Sequence, residues 1–137
     1  MKNPVIVDAI RSPMARAKPD GRLTDFIKEH FPNWLAEVTV MLGHSLPTGF
    51  LAQHRGVILG FAGYDGNNIG QAWFGPMGTA PDSQGQGIGA GLLHQVLREL
   101  RQQGHQFCTI PWVGPYGFYA RYSQARIDRV FWRYEKA

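Results

Sequence analysis

The 137-residue sequence predicts an α/β domain of the α+β kind, with a mixed, mostly antiparallel central sheet flanked by helices. Three observations predict it. Residues 50–77 hold three apolar runs separated by the turn signals Arg55-Gly56 and Asp65-Gly66-Asn67-Asn68, the pattern of an antiparallel meander. Residues 81–104 read as a glycine-rich turn followed by an amphipathic helix. The length suits one domain, 1–137, able to bury about two-thirds of its unfolded surface.

Taken in order, residues 4–10 read as a short strand and 11–22 as a loop with Pro13, Pro19 and the turn pair Asp20-Gly21. Thr24 or Asp25 can cap a helix that runs to Gly43 and is interrupted at Pro32. Phe26, Ile27, Trp34, Leu35, Val38 and Leu42 form its buried face, and Glu37 reads as a solvated helix residue. Residues 50–54, 57–64 and 69–77 make the meander. Pro76 cannot donate to a ladder, so it marks an edge, a bulge or a splayed strand end. Gly85, Gly87 and Gly89 follow; they tolerate positive φ and close backbone approach, so successive N–H groups can converge on an anion at the positive end of a helix. In that helix Ile88, Leu92, Leu93, Val96, Leu97 and Leu100 recur at three- and four-residue spacing, Arg98 and Arg101 lie near its carboxyl end, and Gly104 closes it. Residues 105–110 read as a strand, 116–122 as a short helix and 126–134, by alternation, as a last strand.

Composition narrows the function classes. A net charge of +4 favours anionic ligands, but the basic residues are scattered without a Lys/Arg run, so nucleic acid is not expected as the principal partner. No run approaches the roughly 20 apolar residues of a membrane span. Asp8 and Arg11 interrupt the only apolar patch of the start, so no signal peptide is read there and a cytoplasmic location is the expectation. The lone Cys108 cannot form an internal disulfide and reads as a small core residue. Five dispersed His residues show no metal-ligand spacing, and no metal is expected.

Glycine turns serve several nucleotide ligands. A Walker loop needs Lys followed by Ser or Thr after its last glycine, where this chain has Ala90-Gly91. A dinucleotide turn follows an early parallel strand and wants an acidic residue about 20 residues on, where this chain has Gly104-His105. What remains is Gln84-Gly85-Gln86-Gly87-Ile88-Gly89, a Gln-x-x-Gly-x-Gly pattern that resembles the acetyl-coenzyme-A signature of the GNAT family of N-acetyltransferases. The order of elements over about residues 26–134 is similar to that family too.

The resemblance implies the GNAT fold, with the sheet splayed to form an acetyl-CoA slot. It implies that Gln84, Gly85, Gln86, Gly87, Ile88 and Gly89 bind the cosubstrate's phosphates, and that Met77 and Thr79 pair with its pantetheine amides like an added strand. Phe118-Tyr119 matches the family's Phe/Leu-Tyr pair, which makes Tyr119 the general acid toward the departing thiolate, with Tyr122 a substitute one turn later. A phenol of pKa about 10 stays protonated at neutral pH and suits that task. The acceptor would be an amine of a small molecule, protein or peptide, attacking the acetyl group directly. No carboxylate stands in Gln71-Ala72-Trp73-Phe74, where many relatives carry a base, so Glu37, His54 and Asp65 all remain open. Trp112 replaces a frequent Asn, Ser123-Gln124 replaces a frequent Gly-Phe, and one last strand stands where the family commonly has two, so that either a partner subunit supplies the seventh strand in a homodimer or the sheet is simply shorter.

Two alternatives stay open: a non-catalytic acyl-CoA-binding module, and an interaction or nucleic-acid-binding protein on the same fold. The stretch Val5-Ile6-Val7-Asp8-Ala9-Ile10-Arg11-Ser12-Pro13-Met14 is similar to the first strand of thiolases, but nothing later matches a thiolase active site. Residues 1–22 therefore read as an atypical N-terminal segment, which either supplies the usual first strand or replaces it.

Overall fold

A computed structural model describes residues 14–136. The expected strand at 4–10 and most of the thiolase-like stretch lie outside them. Four strands, β1 (Met14–Arg16), β2 (Gly49–His54), β3 (Val57–Tyr64) and β4 (Phe74–Thr79), form an antiparallel sheet in sequence order. The described first strand is thus Met14–Arg16, inside the segment expected to be loop. Its register, Met14 opposite Ala52 and Arg16 opposite Phe50, shows why: β2 offers an edge that a short neighbour completes.

Two helices, α1 (Arg22–His30) and α2 (Leu35–Gly43), pack on one face of the sheet, joined by a 3-10 turn over Pro32–Trp34. The break at Pro32 is where the sequence places it. The start is not: Gly21, at φ +90°, precedes the helix, so neither Thr24 nor Asp25 caps it. Phe26, Ile27, Val38 and Leu42 are buried as expected, together with Leu23 and Met41. Glycines let α2 approach closely, since a Cβ on Gly63 would stand 2.1 Å from the Met41 methyl.

Helix α3 (Ile88–Gln102) covers the other face. Ile88, Leu92, Leu93, Val96 and Leu100 are each at most 2% exposed, and at about 1.5–3 kcal/mol per buried side chain they hold the helix on the order of 10 kcal/mol more firmly than solvent would. It ends in a Schellman motif: Gly104 at φ +94° donates to Arg101, and His105 donates to Leu100. Near that end Glu99 clips three elements together. Its carboxylate accepts from both terminal nitrogens of Arg16 in β1 and, at 2.7 Å, from the Tyr64 hydroxyl in β3; Gln103 Nε2 donates to that hydroxyl at 2.8 Å. Burial, reinforced by the bond to Glu99, pushes the Tyr64 phenol up to about 12.

The Arg55-Gly56 pair makes the expected two-residue hairpin, with both residues at positive φ. The third meander run begins later than its apolar pattern, at Phe74, because Gly70 and Ala72 take positive φ and keep the preceding residues in a turn. Two expected strands are corrected. Residues 105–110 contribute only a parallel bridge, Trp73 to Thr109, and 126–134 join no ladder among the described residues. Alternation is a pattern of one segment, but a ladder also needs a paired edge. Helix α4 (Tyr116–Ser123) lies between them.

Candidate active site

The site is built from β4, the turn after it and α4. Ala62 faces Met77 and Tyr64 faces Phe74, so Gly75 and Pro76 together stand opposite the single Gly63: a bulge at the Pro76 position. Beyond the bulge the register decides which groups are free. Ala80 N–H donates to Leu59 C=O at 2.8 Å, which continues the pairing of Gly78 with Phe61. Bonded and non-bonded pairs alternate in an antiparallel ladder, so Gly78 directs its polar groups to β3, and Met77 and Thr79 direct theirs to the opposite edge.

That edge is open. Phe74 N–H donates to Thr109 C=O at 2.8 Å and Thr109 N–H to Ala72 C=O at 3.0 Å; past this bridge, among the described residues, no strand pairs with the outer side of Gly75 to Thr79. The outer edge of β4 past this bridge is therefore left unpaired among the described residues. Cys108 and Ile110, both partly buried, pack against the core, and burial pushes the Cys108 thiol up to about 11, which disfavours the thiolate.

The open edge runs into the glycine turn. Gly85 and Gly87 both take φ +77°, and Gly87 is the residue before α3, with no side chain bonding the helix start. The first N–H groups of α3 have no partner inside the helix, and the dipole concentrates positive potential there. Gln84, Gly85 and Gln86 are exposed, and Gln84 Nε2 lies 3.5 Å from Thr79 C=O. Ile88 is different: its side chain is in the core, 3.3 Å from where a Gly60 Cβ would be, and only its backbone belongs to the turn. Gly89 lies in the first turn of α3, where a Cβ would meet the Phe118 ring at 3.5 Å and Thr79 Oγ1 at 3.8 Å. Strand, turn and α4 thus converge at one point.

Tyr119, 8% exposed, packs edge-on against Phe74 at the start of β4, with ring centroids 5.9 Å apart, and against Phe118 at 5.1 Å. Burial raises its phenol above the ordinary value, which favours the protonated form. Tyr122 lies one turn on, beside Phe118, and its carbonyl accepts from His94 Nε2 at 2.7 Å.

The three open base positions are separated. His54 ends β2 at the Arg55-Gly56 hairpin, whereas Asp65 follows β3 at the other end of the sheet, the end of the bulge. Asp65 Oδ1 already accepts from Gly70 N–H at 3.0 Å. Glu37 is not solvated as the sequence reading has it: the Gly66 turn packs on it, and Oε2 is enclosed without a hydrogen-bond partner among the described residues. Sequence reasoning also missed Phe31, whose ring lies directly on β4 at Gly78; the only local signal was the glycine itself. Among the described residues no cluster of three or more His, Cys, Asp or Glu is placed to hold a metal, and no helix is long and apolar enough to cross a membrane.

An open antiparallel sheet flanked by helices, with a bulged strand β4 whose outer edge leads toward the glycine turn before α3, defines the fold class of the chain. The chain belongs to the acetyltransferase (GNAT) family, whose model matches residues 8–121. No curated protein matches the sequence. Among solved structures, a glucosamine N-acetyltransferase region of a fungal multi-domain GH3 β-N-acetylglucosaminidase is similar with a TM-score of 0.71 at 20% identity, over 88% of this chain and 17% of that one, so this chain spans about a sixth of that protein. The aminoglycoside N-acetyltransferase AAC(6')-Iy, solved with the bisubstrate analogue CoA-S-monomethyl-acetylneamine, gives 0.67 at 14% identity, over 91% and 98%. A ribosomal-protein-alanine N-acetyltransferase from Brucella melitensis biovar Abortus 2308 gives 0.53 at 13%, over 91% and 97%. At these identities the likeness is one of fold.

Proposed function

We propose that this protein transfers an acetyl group from acetyl-CoA to the amine of a small molecule, with amino sugars and aminoglycosides as the first acceptor class to test. The observation that carries the reading is the open β4 edge, with the polar groups of Met77 and Thr79 directed outward, continuous with the glycine turn from Gln84 to Gly89. In this reading Met77 and Thr79 hold the pantetheine amides, and the backbone of Gly85, Gln86, Gly87, Ile88 and Gly89 with the Gln84 side chain holds the phosphates. Several neighbours of this fold are aminoglycoside or amino-sugar acetyltransferases, which supports the acceptor class.

The amine nitrogen attacks the acetyl carbonyl carbon, the carbon–sulfur bond breaks, and Tyr119 gives its hydroxyl proton to the sulfur. A backbone N–H near Met77 stabilises the developing oxyanion; one such donor is worth roughly 3 kcal/mol. Glu37 takes the proton lost by the amine through water, as the carboxylate at the bulge end of the sheet with an unpartnered oxygen. Calorimetry with acetyl-CoA on the wild type and on Gly87→Glu tests the cosubstrate, and an acetylation screen over amino sugars, aminoglycosides, amino acids and peptide N-termini tests the acceptor. Micromolar binding abolished by Gly87→Glu, with turnover of an amino sugar, is the expected result. Binding without product across the panel would identify a non-catalytic acyl-CoA module, and no binding by folded protein would end the acyltransferase reading.

A further inference from the structure

Helix α4 carries the proposed acid, yet little anchors it. The segments on either side, 105–115 and 124–136, join no ladder among the described residues beyond the bridge at Thr109. Two aromatic contacts hold its inner face: Tyr119 meets Phe74 edge-on, and the Phe118 ring lies against the first turn of α3, 3.5 Å from where a Gly89 Cβ would stand. Burial alone raises the Tyr119 phenol, with no hydrogen bond contributing, so the aim of its hydroxyl follows from where α4 sits. The last carbonyls of a helix have no partner inside it. In α4 the Tyr119 carbonyl accepts from the Ser123 hydroxyl at 2.7 Å and from Ala125 N–H at 3.4 Å, both local. The Tyr122 carbonyl is satisfied from outside, by His94 Nε2 of α3 at 2.7 Å. A carbonyl only accepts, so Nε2 carries the proton in that bond. Among the described residues it is the one hydrogen bond from α4 to a distant element.

We propose, on the reading of Tyr119 as the acid, that His94 is a positioning residue for the acetyl transfer: by holding the carboxyl end of α4 on α3, it fixes the direction in which Tyr119 presents its hydroxyl to the departing sulfur. The imidazole is exposed, whereas Leu92, Leu93 and Val96 around it fill the core. Its contribution is therefore a directed donor rather than buried apolar area. Phe118 touches α3 on one side of Tyr119 in the chain, and Tyr122 is bonded to α3 on the other. Held at both points, α4 cannot pivot about the ring that lies between them; held at Phe118 alone, it can. The same helix begins at the glycine turn. His94 follows Gly89 by about 7.5 Å along α3, at 1.5 Å per residue, so the proposed phosphate cradle and the proposed acid share one rigid frame. Such a frame matters to rate, because a misplacement of about 1 Å can cost on the order of 10²-fold.

Steady-state turnover, acetyl-CoA calorimetry and amide hydrogen exchange on the wild type, His94→Leu and His94→Gln test the proposal. Leucine keeps the bulk and removes the donor, whereas the longer glutamine amide restores an N–H near the place of Nε2. His94→Leu should lower kcat roughly 10-fold, keep acetyl-CoA affinity and speed exchange of the α4 amides; His94→Gln should recover kcat and exchange together. In a Tyr119→Phe background, His94→Leu should cost almost nothing further, because a residue that acts through the Tyr119 hydroxyl then has nothing to position. Equal kcat in the wild type and His94→Leu overturns the proposal. So does a loss that persists undiminished beside Tyr119→Phe, or one that falls on acetyl-CoA affinity as heavily as on kcat; either marks the contact as merely structural. A wild type that binds acetyl-CoA but acetylates no acceptor overturns the functional reading, and the proposal with it, and shows itself before any variant is compared.

Discussion

Gly78 sits between the two residues whose backbone faces the open edge, and its missing side chain is what lets Phe31 lie on β4. A Cβ built there would stand 2.6, 2.7 and 3.0 Å from three ring carbons of Phe31, where ordinary contact is 3.4–4 Å. The ring is not free to retreat: it stacks on Trp34 at 5.1 Å and meets the rings of Phe26 and Phe61 at 6.0 and 5.9 Å. Two effects compete in Gly78→Ala. Alanine in a strand gains roughly 0.5–1 kcal/mol over glycine, mainly by restricting the unfolded chain. Overpacking of this depth costs about 1–3 kcal/mol. The clash wins, and the variant loses about 1–2 kcal/mol in urea denaturation. Any shift of β4 that relieves the clash also moves Met77 and Thr79, so acetyl-CoA affinity falls with stability. Adding Phe31→Leu removes the offending ring edge, and the double variant loses less than the two single losses together. A Gly78→Ala protein as stable as the wild type, with unchanged acetyl-CoA binding, would refute this reasoning.

Tyr119→Phe should lower turnover on the order of 10²-fold with little change in acetyl-CoA binding; stopped-flow detection of released thiol checks it, and unchanged turnover removes Tyr119 from the acid role. Glu99→Gln should cost about 2 kcal/mol at neutral pH, since bonds to charged groups contribute about 1.5–3 kcal/mol each and the partly exposed Arg16 discounts the sum. Burial pushes the Glu99 carboxyl up, but the bonds from Arg16 and Tyr64 and the Arg16 charge together hold it below its ordinary value. A folded-state value below the unfolded one contributes stability that is present above the unfolded value and lost as pH falls through the folded one. Wild-type and Glu99→Gln melting curves should therefore converge in acid, and a constant difference down to low pH would contradict the assignment. Glu37→Gln should lower kcat/KM for the amine more than it lowers acetyl-CoA affinity, which steady-state kinetics and calorimetry separate; equal losses would mark Glu37 as structural.

Much of the candidate site was legible because its signals are local. Gly85 and Gly87 need positive φ, α3 repeats its apolar residues at helical spacing, Gly104 ends it, and Pro76 forbids a continuous ladder; each depends on a few adjacent residues. The expected strands at 105–110 and 126–134 failed for the converse reason. Alternation is a property of the segment, whereas pairing belongs to two segments at once, and only Thr109 found a partner among the described residues. Glu37 was misread in the same way, because a helix position says nothing about a turn that folds over it from β3.

The sequence by itself determined the meander, the glycine turn, the amphipathic helix behind it and the family resemblance that unites them. The tertiary structure alone decided which backbone groups are free. One residue of register at Gly78 sends the N–H and C=O of Met77 and Thr79 outward rather than into β3, and that parity is set by pairing across the sheet. It also decided that Phe31 lies on β4, that His54 stands at the opposite end of the sheet from Asp65, and that the aromatic residues after α4 face outward. These are distances between residues far apart in the chain, and no local propensity encodes them.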